Sequence, residues 1–211
     1  MTATAIGTYA TAAGVEALLP NTLSGSDATL LGTLCDRINQ LIEDRTGRVL
    51  APISSAAYTY DGDGTTSLYL VNPTNSAPIG GIRAVTLVEC QYYTSGGYFT
   101  VPSTDYFLRQ RIGMTGPFER IEFTNIPHGT VGNWPVGFDT VRITGTAGWS
   151  AIPDSITDLA LQLALRAWNS RQSGYQDITG TDDTGQPYVA RFLSGRDKDT
   201  LRQFTVVGKL A

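Results

Sequence analysis

Leu31, Leu34, Ile38, Leu41, Ile42 and Val49 recur at helical spacing around residues 26–46, while Asp36, Arg37, Gln40, Glu43 and Asp44 fall between them. The stretch predicts an amphipathic helix with one buried face. Ser24 or Ser26 can accept an orphan N–H at its start, and Gly47 can end it in the left-handed conformation. Upstream, YATAAGVEALLP predicts a shorter helix over 9–19 stopped at Pro20, with NTLSGSD as the intervening loop.

From 56 to 149 the period changes to two. Leu68 and Leu70 alternate with Tyr69 and Val71, residues 82–88 are rich in branched side chains, and Val141 and Ile143 alternate with Thr140, Arg142 and Thr144. Strands are expected near 56–60, 67–71, 82–90, 106–111, 119–123 and 140–144, forming a small antiparallel sheet or sandwich of hairpins. Two stretches rich in turn formers, 91–102 and 125–137, interrupt it.

Pro153 stands where proline is best tolerated, in the first turn of a helix over 153–173, with Asp154 and Asp158 near the positive end of its dipole. Nine of the thirteen positions from Ile156 to Trp168 are Ile, Leu, Ala or Trp. Ile156, Leu159, Leu163 and Trp168 can face the core, whereas Leu161 and Leu165 point elsewhere and need the sheet or a neighbouring subunit. Residues 175–187 are loop-like and acidic through Asp177, Asp182 and Asp183, which predicts an exposed linker. In 188–211, Phe192, Leu193, Leu201, Phe204, Val206 and Val207 are set among basic residues, the pattern of a tail that orders on a partner. The expectation is an α+β chain. N-terminal helices and the long helix of the C-terminal half pack with a small antiparallel sheet or sandwich over 1–174, followed by a linker and an extended tail.

At 211 residues the chain can bury a sizeable core without staples. Cys35 and Cys90 have no disulfide or metal-ligand spacing and are expected as buried free thiols. No basic residue precedes Arg37 and no apolar stretch approaches the ~18 residues that span a bilayer, so neither a secretory signal nor a membrane helix is expected. The formal charge of −4 is uneven: 186–211 carries five basic residues against two acidic ones. The acidic remainder is a poor phosphate binder.

Candidate chemistry is thin. The DGDG at 61–64 begins like a calcium loop, but Thr65, Ser67 and Asn72 stand at later ligand positions, which favours a Gly-rich turn. The lone histidine, His128, lies between Pro127 and Gly129 with no second histidine, no patterned cysteine and no G-x-S-x-G elbow in the chain. No phosphate loop or dinucleotide fingerprint occurs. Glu43–Asp44 and Asp182–Asp183 are adjacent pairs that do not converge on one point of a helix. Tyr92, Tyr93, Tyr98 and Phe99 lack the flanking cations of a nucleic-acid groove. No catalytic residue, cofactor or metal ligand is assigned.

The order of these segments, a capped helix ending at TGRVLAP, then YTYDGDGTTSLYL, PIGGIRAVTLVE and VRITGTAGWSAIPDSI running into an apolar helix, resembles the head-tail connector (adaptor) proteins of long-tailed bacteriophages. The match runs from about Tyr9 to Gly174 and rests on order and spacing. Its matching positions are 61–64 at the turn, Pro78 and Ile79 at the entry to the long strand, 147–149 after the last strand and 152–154 at the helix start. The 91–102 insert and the acidic linker depart from it.

The resemblance implies a non-enzymatic structural virion protein. Its subunits would form a ring, commonly twelvefold, that docks on the portal, offers its other face to a stopper or tail protein, and lets genomic DNA pass without sequence-specific binding. It also implies a place in the virion neck, with assembly in the host cytoplasm. The portal-gripping tail would then comprise Tyr188, Arg191, Phe192, Leu193, Arg196, Leu201, Arg202, Phe204, Val206 and Val207, and Leu161 and Leu165 would meet a neighbouring subunit. A stopper or tail-completion protein of the same neck is the nearest alternative. A hydrolase built on His128 and a monomeric β-rich carbohydrate-binding module using the loop tyrosines are the others.

Overall fold

A computed structural model describes residues 7–76, 78–91, 96–110, 116–124, 132–172, 178–181, 187–189 and 193–205. The chain is α+β and divides into a β unit, Arg48–Ile152, and a helical unit made of Ile6–Gly47 and Pro153–Ala211.

In the helical unit, α1 (Ala12–Glu16) starts where the Thr11 hydroxyl accepts the Gly14 N–H. α2 (Gly25–Thr46) begins after Ser24 and ends at Gly47, whose φ of 71° is the left-handed conformation a Cβ disfavours. Ser24 occupies the expected cap position, but its hydroxyl bonds the Asp27 carboxylate instead of a backbone N–H. Leu31, Leu34, Cys35, Ile38 and Ile42 form the buried face. Asn39 is buried among them, and its carbonyl accepts the N–H groups of Tyr9 and Ala10 while its amide donates to the Ala10 carbonyl. It thereby ties the extended N-terminal segment to α2. α3 (Asp154–Gln172) buries Ile156, Leu159, Ala160, Leu163, Ala164, Ala167 and Trp168 and packs on α1, α2 and α4.

In the β unit, β1 (Ile53–Gly62), β3 (Ile82–Cys90), β4 (Phe99–Thr100) and β7 (Gly137–Ala147) make an antiparallel sheet in the order β1-β7-β3-β4. β2 (Ser67–Tyr69), β5 (Tyr106–Arg109) and β6 (Arg120–Phe123) make a second, in the order β2-β6-β5. One hydrophobic core takes Tyr58, Tyr60, Val88, Val141 and Ile143 from the first sheet and Leu68, Ile121 and Phe123 from the second. Where a small antiparallel sheet or sandwich was expected, the chain forms two small antiparallel sheets that share one core, with side chains of period two directed inward.

The Gly-aromatic step after β7 has a packing reason. Gly148 has φ 71°, and a Cβ there would lie 2.0 Å from the Ala51 carbonyl oxygen. The following Trp149 lies under the Arg48 guanidinium, 5.7 Å from the ring centroid, and its carbonyl accepts from Arg83. Arg48 is buried and donates to Glu119 at 2.5 Å.

The region after Gly174 departs from the expected linker and extended tail. Ile178–Thr181 (β8) pairs antiparallel with Pro187–Val189 (β9), and Gly195–Phe204 (α4) is a helix packed on α2 and α3. Ser194 and Asp197 form a reciprocal capping box that starts α4, and Leu201 and Phe204, three apart, bury on one side. That box is a local signal strong enough to set a helix within a polar segment.

Candidate functional site

The residues assigned to a docking tail divide by their surroundings. Leu201 and Phe204 are core residues of the helical unit, covered by their own chain. Arg196 and Arg202 are exposed on α4, where Arg202 pairs with Asp199 at 3.3 Å, and Leu193 is half-buried. Tyr188 lies in β9. Arg191, Phe192, Val206 and Val207 lie outside the described residues.

α4 is fastened through charge. Asp197 is buried and accepts from the Ser194 N–H and, at 2.5 Å, from Arg166 of α3. Burial raises its pKa, but the hydrogen bonds from Arg166 and Ser194 outweigh this and hold it below the usual carboxylate range.

Leu161 and Leu165 are both half-buried, unlike the fully covered Ile156, Leu159, Leu163 and Trp168. The partner Leu161 needs is supplied in part by α1: a Cβ at Gly14 would come within 3.2 Å of a Leu161 methyl. The N-terminal helix was the cover that sequence spacing left out.

The DGDG segment is a turn closed by its own carboxylates. Asp63 accepts the Thr65 N–H and hydroxyl, bonds that lower its pKa, and Asp61 accepts the Asp139 N–H. His128, Tyr92 and Tyr93 lie outside the described residues. Tyr98 is half-buried, donates its hydroxyl to the Asp139 carbonyl and lies under Arg142, which forks onto Glu89 at 2.8 and 2.9 Å. Both cysteines are buried and free, and burial pushes the Cys90 thiol up to about 12. Among the described residues no group of three or more His, Cys, Asp or Glu side chains is placed to hold a metal.

A cleft of about 420 Å³ opens in the helical unit between Leu19, Pro20, Asn21, Leu23, Asp27, Trp168 and Arg171. Arg171 bridges it, 2.9 Å from Asp27 and 5.0 Å from the Trp168 ring centroid. Its hydrogen bond and that of Ser24 lower the Asp27 pKa. The lining offers an apolar floor and a satisfied ion pair, and no nucleophile or free base.

The surface of the β unit holds residues that the spacing of the sequence did not single out. Val136, just before β7, and Phe138, near its start, are 76% and 90% exposed, and Tyr69 is 69% exposed on β2. The signal available was the run PVGFD, in which apolar residues flank a glycine between turn formers.

No family model and no curated protein matches the chain. Solved structures do. One chain in the neck of an empty gene transfer agent particle, computed with C6 symmetry, aligns with a TM-score of 0.54 and 18% identity over 97% of this chain and 93% of that one. A chain in the virion of a native gene transfer agent particle aligns with a TM-score of 0.55 and 19% identity over the same shares. The fold is therefore one found in solved virion particles, matched across both units.

Proposed function

We propose that this protein is a structural subunit of the neck of a phage-like particle, a head-tail connector that forms a ring, twelvefold, beneath the portal and extends the DNA channel toward the tail. The supporting observation is a whole-chain likeness in fold to a chain from a particle neck. It comes independently of the segment order that resembles phage connectors, which runs through both units. C6 symmetry, applied to that neck, is compatible with twelve copies.

The physical properties fit the role. A ring subunit needs two complementary surfaces and no reacting groups, and an acidic body repels passing phosphates, favouring sliding over sticking. The partners of this reading are further copies of the chain, the portal above and a stopper or tail protein below. The protein then resides in the virion and assembles in the host cytoplasm.

Docking to the portal is assigned to the C-terminal region, with the burial of Leu201 and Phe204 redirecting the test. A cut at Gly185 removes α4 and with it part of the helical core, whereas a cut after Thr205 spares both residues. Electron microscopy of the protein mixed with portal rings from the same particle decides the matter. Full-length rings stacked on the portal, and weakened stacking of the chain ending at Thr205, are expected. A full-length chain that never decorates the portal overturns the reading.

A further inference from the structure

We propose that the Phe138 tip of one copy seats on the outer face of the β2-β6-β5 sheet of the next copy. This rests on the ring reading above and names its subunit interface.

The tip is built. Between the pairs Tyr60–Val141 and Gly62–Gly137 the register of β1 and β7 slips, because β7 spends two residues more than β1. The excess leaves the ladder as a bulge carrying Phe138. The flanking residues hold positive φ, 142° at Gly137 and 53° at Asp139, and Asp139 is the sole non-glycine residue in that region among the described ones. Such a conformation persists only where neighbours enforce it, and here they do. The Asp139 N–H donates to Asp61 at 2.8 Å, its carbonyl accepts from the Tyr98 hydroxyl, and its carboxylate accepts from Thr74. Earlier in the same segment, the fully buried Trp134 packs against Phe123, tilted by 34° with centroids 4.1 Å apart, and donates its indole N–H to the Thr66 carbonyl at 3.2 Å. A turn held this firmly displays a 90% exposed phenylalanine and a 76% exposed valine. Water is an unfavourable partner for both, so the display marks a contact surface.

The charge around the tip selects its partner. Asp61, Asp63 and Asp139 are exposed beside the two apolar side chains, and none has an ion-pair partner among the described residues. The outer face of the three-stranded sheet is the converse. Register places Phe107 opposite Glu122 opposite Ser67, and Arg109 opposite Arg120 opposite Tyr69, so these six side chains share the side away from Leu68, Ile121 and Leu108. Tyr69 and Phe107 are exposed there, and Arg109 lies 4.5 Å over the Phe107 ring. Arg109 and Arg120 both pair with the one carboxylate of Glu122, at 2.6 and 2.7 Å, leaving an excess positive charge. An apolar tip ringed by aspartates and an aromatic face bearing arginines are complementary in both respects. Because they are different surfaces of one unit, their contact is head-to-tail, the kind that propagates around a ring.

The test mixes two single-cysteine variants of the full chain, Phe138→Cys and Tyr69→Cys, alone and with portal rings, under mild oxidation. Cross-linked dimers are expected from the mixture and not from either variant by itself; the native thiols are buried. In parallel, Phe138→Ser is expected to weaken assembly by about tenfold or more, as loss of a central aromatic anchor does. Leu18→Ser, at another exposed apolar residue, leaves assembly unchanged. Assemblies that form without the cross-link, or in which Phe138→Cys links to the portal, overturn this interface and leave the ring standing. A protein that stays monomeric with and without the portal overturns both.

Discussion

The guanidinium of Arg166 on α3 donates to the carboxylate of Asp197 on α4 at 2.5 Å, and Asp197 is 4% exposed while Arg166 is half in solvent. One carboxylate thus caps α4 and anchors it. Removing it both exposes the cap and leaves a partly buried cation without its partner. Asp197→Ala is expected to cost about 2–4 kcal/mol, discounted from the fully buried case because Arg166 reaches water. Urea denaturation of Asp197→Ala, Arg166→Ala and the double variant measures the coupling. A coupling below about 0.5 kcal/mol means that the cap alone matters.

The same group sets an acid limit. The Asp197 pKa is depressed in the folded chain, so its contribution is complete above the unfolded value near 3.9 and is lost as pH falls through the folded one. Glu43 runs the opposite way. Burial raises its pKa although it accepts the Gly7 N–H at 2.6 Å and the Tyr9 hydroxyl at 2.9 Å. A raised carboxylate favours folding below its unfolded pKa, and that advantage is lost as pH rises through the folded value. Glu43→Gln keeps an acceptor for both donors and removes the titration. Stability measured from pH 4 to 7 is expected to decline less with rising pH in this variant than in the parent; parallel curves would refute it.

Gly148 and Gly25 make a contrast in what a methyl group does. At Gly148 the added Cβ meets the Ala51 carbonyl oxygen at 2.0 Å in a residue with φ 71°. At Gly25, the first residue of α2, nothing lies within 4 Å. Gly148→Ala is expected to destabilise by about 3 kcal/mol or more. Gly25→Ala is expected to be neutral or to stabilise by up to about 1 kcal/mol, through the entropy of the unfolded chain. Thermal denaturation separates the two, and equal midpoints would contradict the tight approach at Gly148.

Legibility followed the period of the sequence. The α2 face from Leu31 to Ile42 and the α3 stripe through Ile156, Leu159, Leu163 and Trp168 were readable because burial on one side of a helix leaves a 3.6-residue trace. β7 was readable because Val141 and Ile143 alternate with residues less covered. The pairing order β1-β7-β3-β4 was not, since register between distant strands leaves no local mark. α4 was missed because its apolar contribution is only Leu201 and Phe204, fewer than a periodicity scan weighs, although Ser194-x-x-Asp197 announced its start. The Phe138 tip was hidden for a related reason: a bulge that turns an apolar residue outward breaks the very alternation by which strands are recognised.

Folding and docking share the C-terminal region, and two cuts part them. Leu201 and Phe204 are 4% and 7% exposed, and each replaced by alanine is expected to cost about 2–5 kcal/mol, since the cavity lies between packed helices. A chain ending at Gly185 lacks both and is expected to melt several degrees or more below the full chain, at roughly 2–4 °C per kcal/mol for this size. A chain ending at Thr205 keeps α4, its capping box and the Arg166–Asp197 pair, and is expected to melt within about 2 °C of the full chain. Any loss of portal binding in the longer of these two chains therefore belongs to contacts made by 206–211, Val206 and Val207 included. If it binds as tightly as the full chain, those residues leave the docking surface, and Arg196 and Arg202, exposed on α4, become the positions to change next.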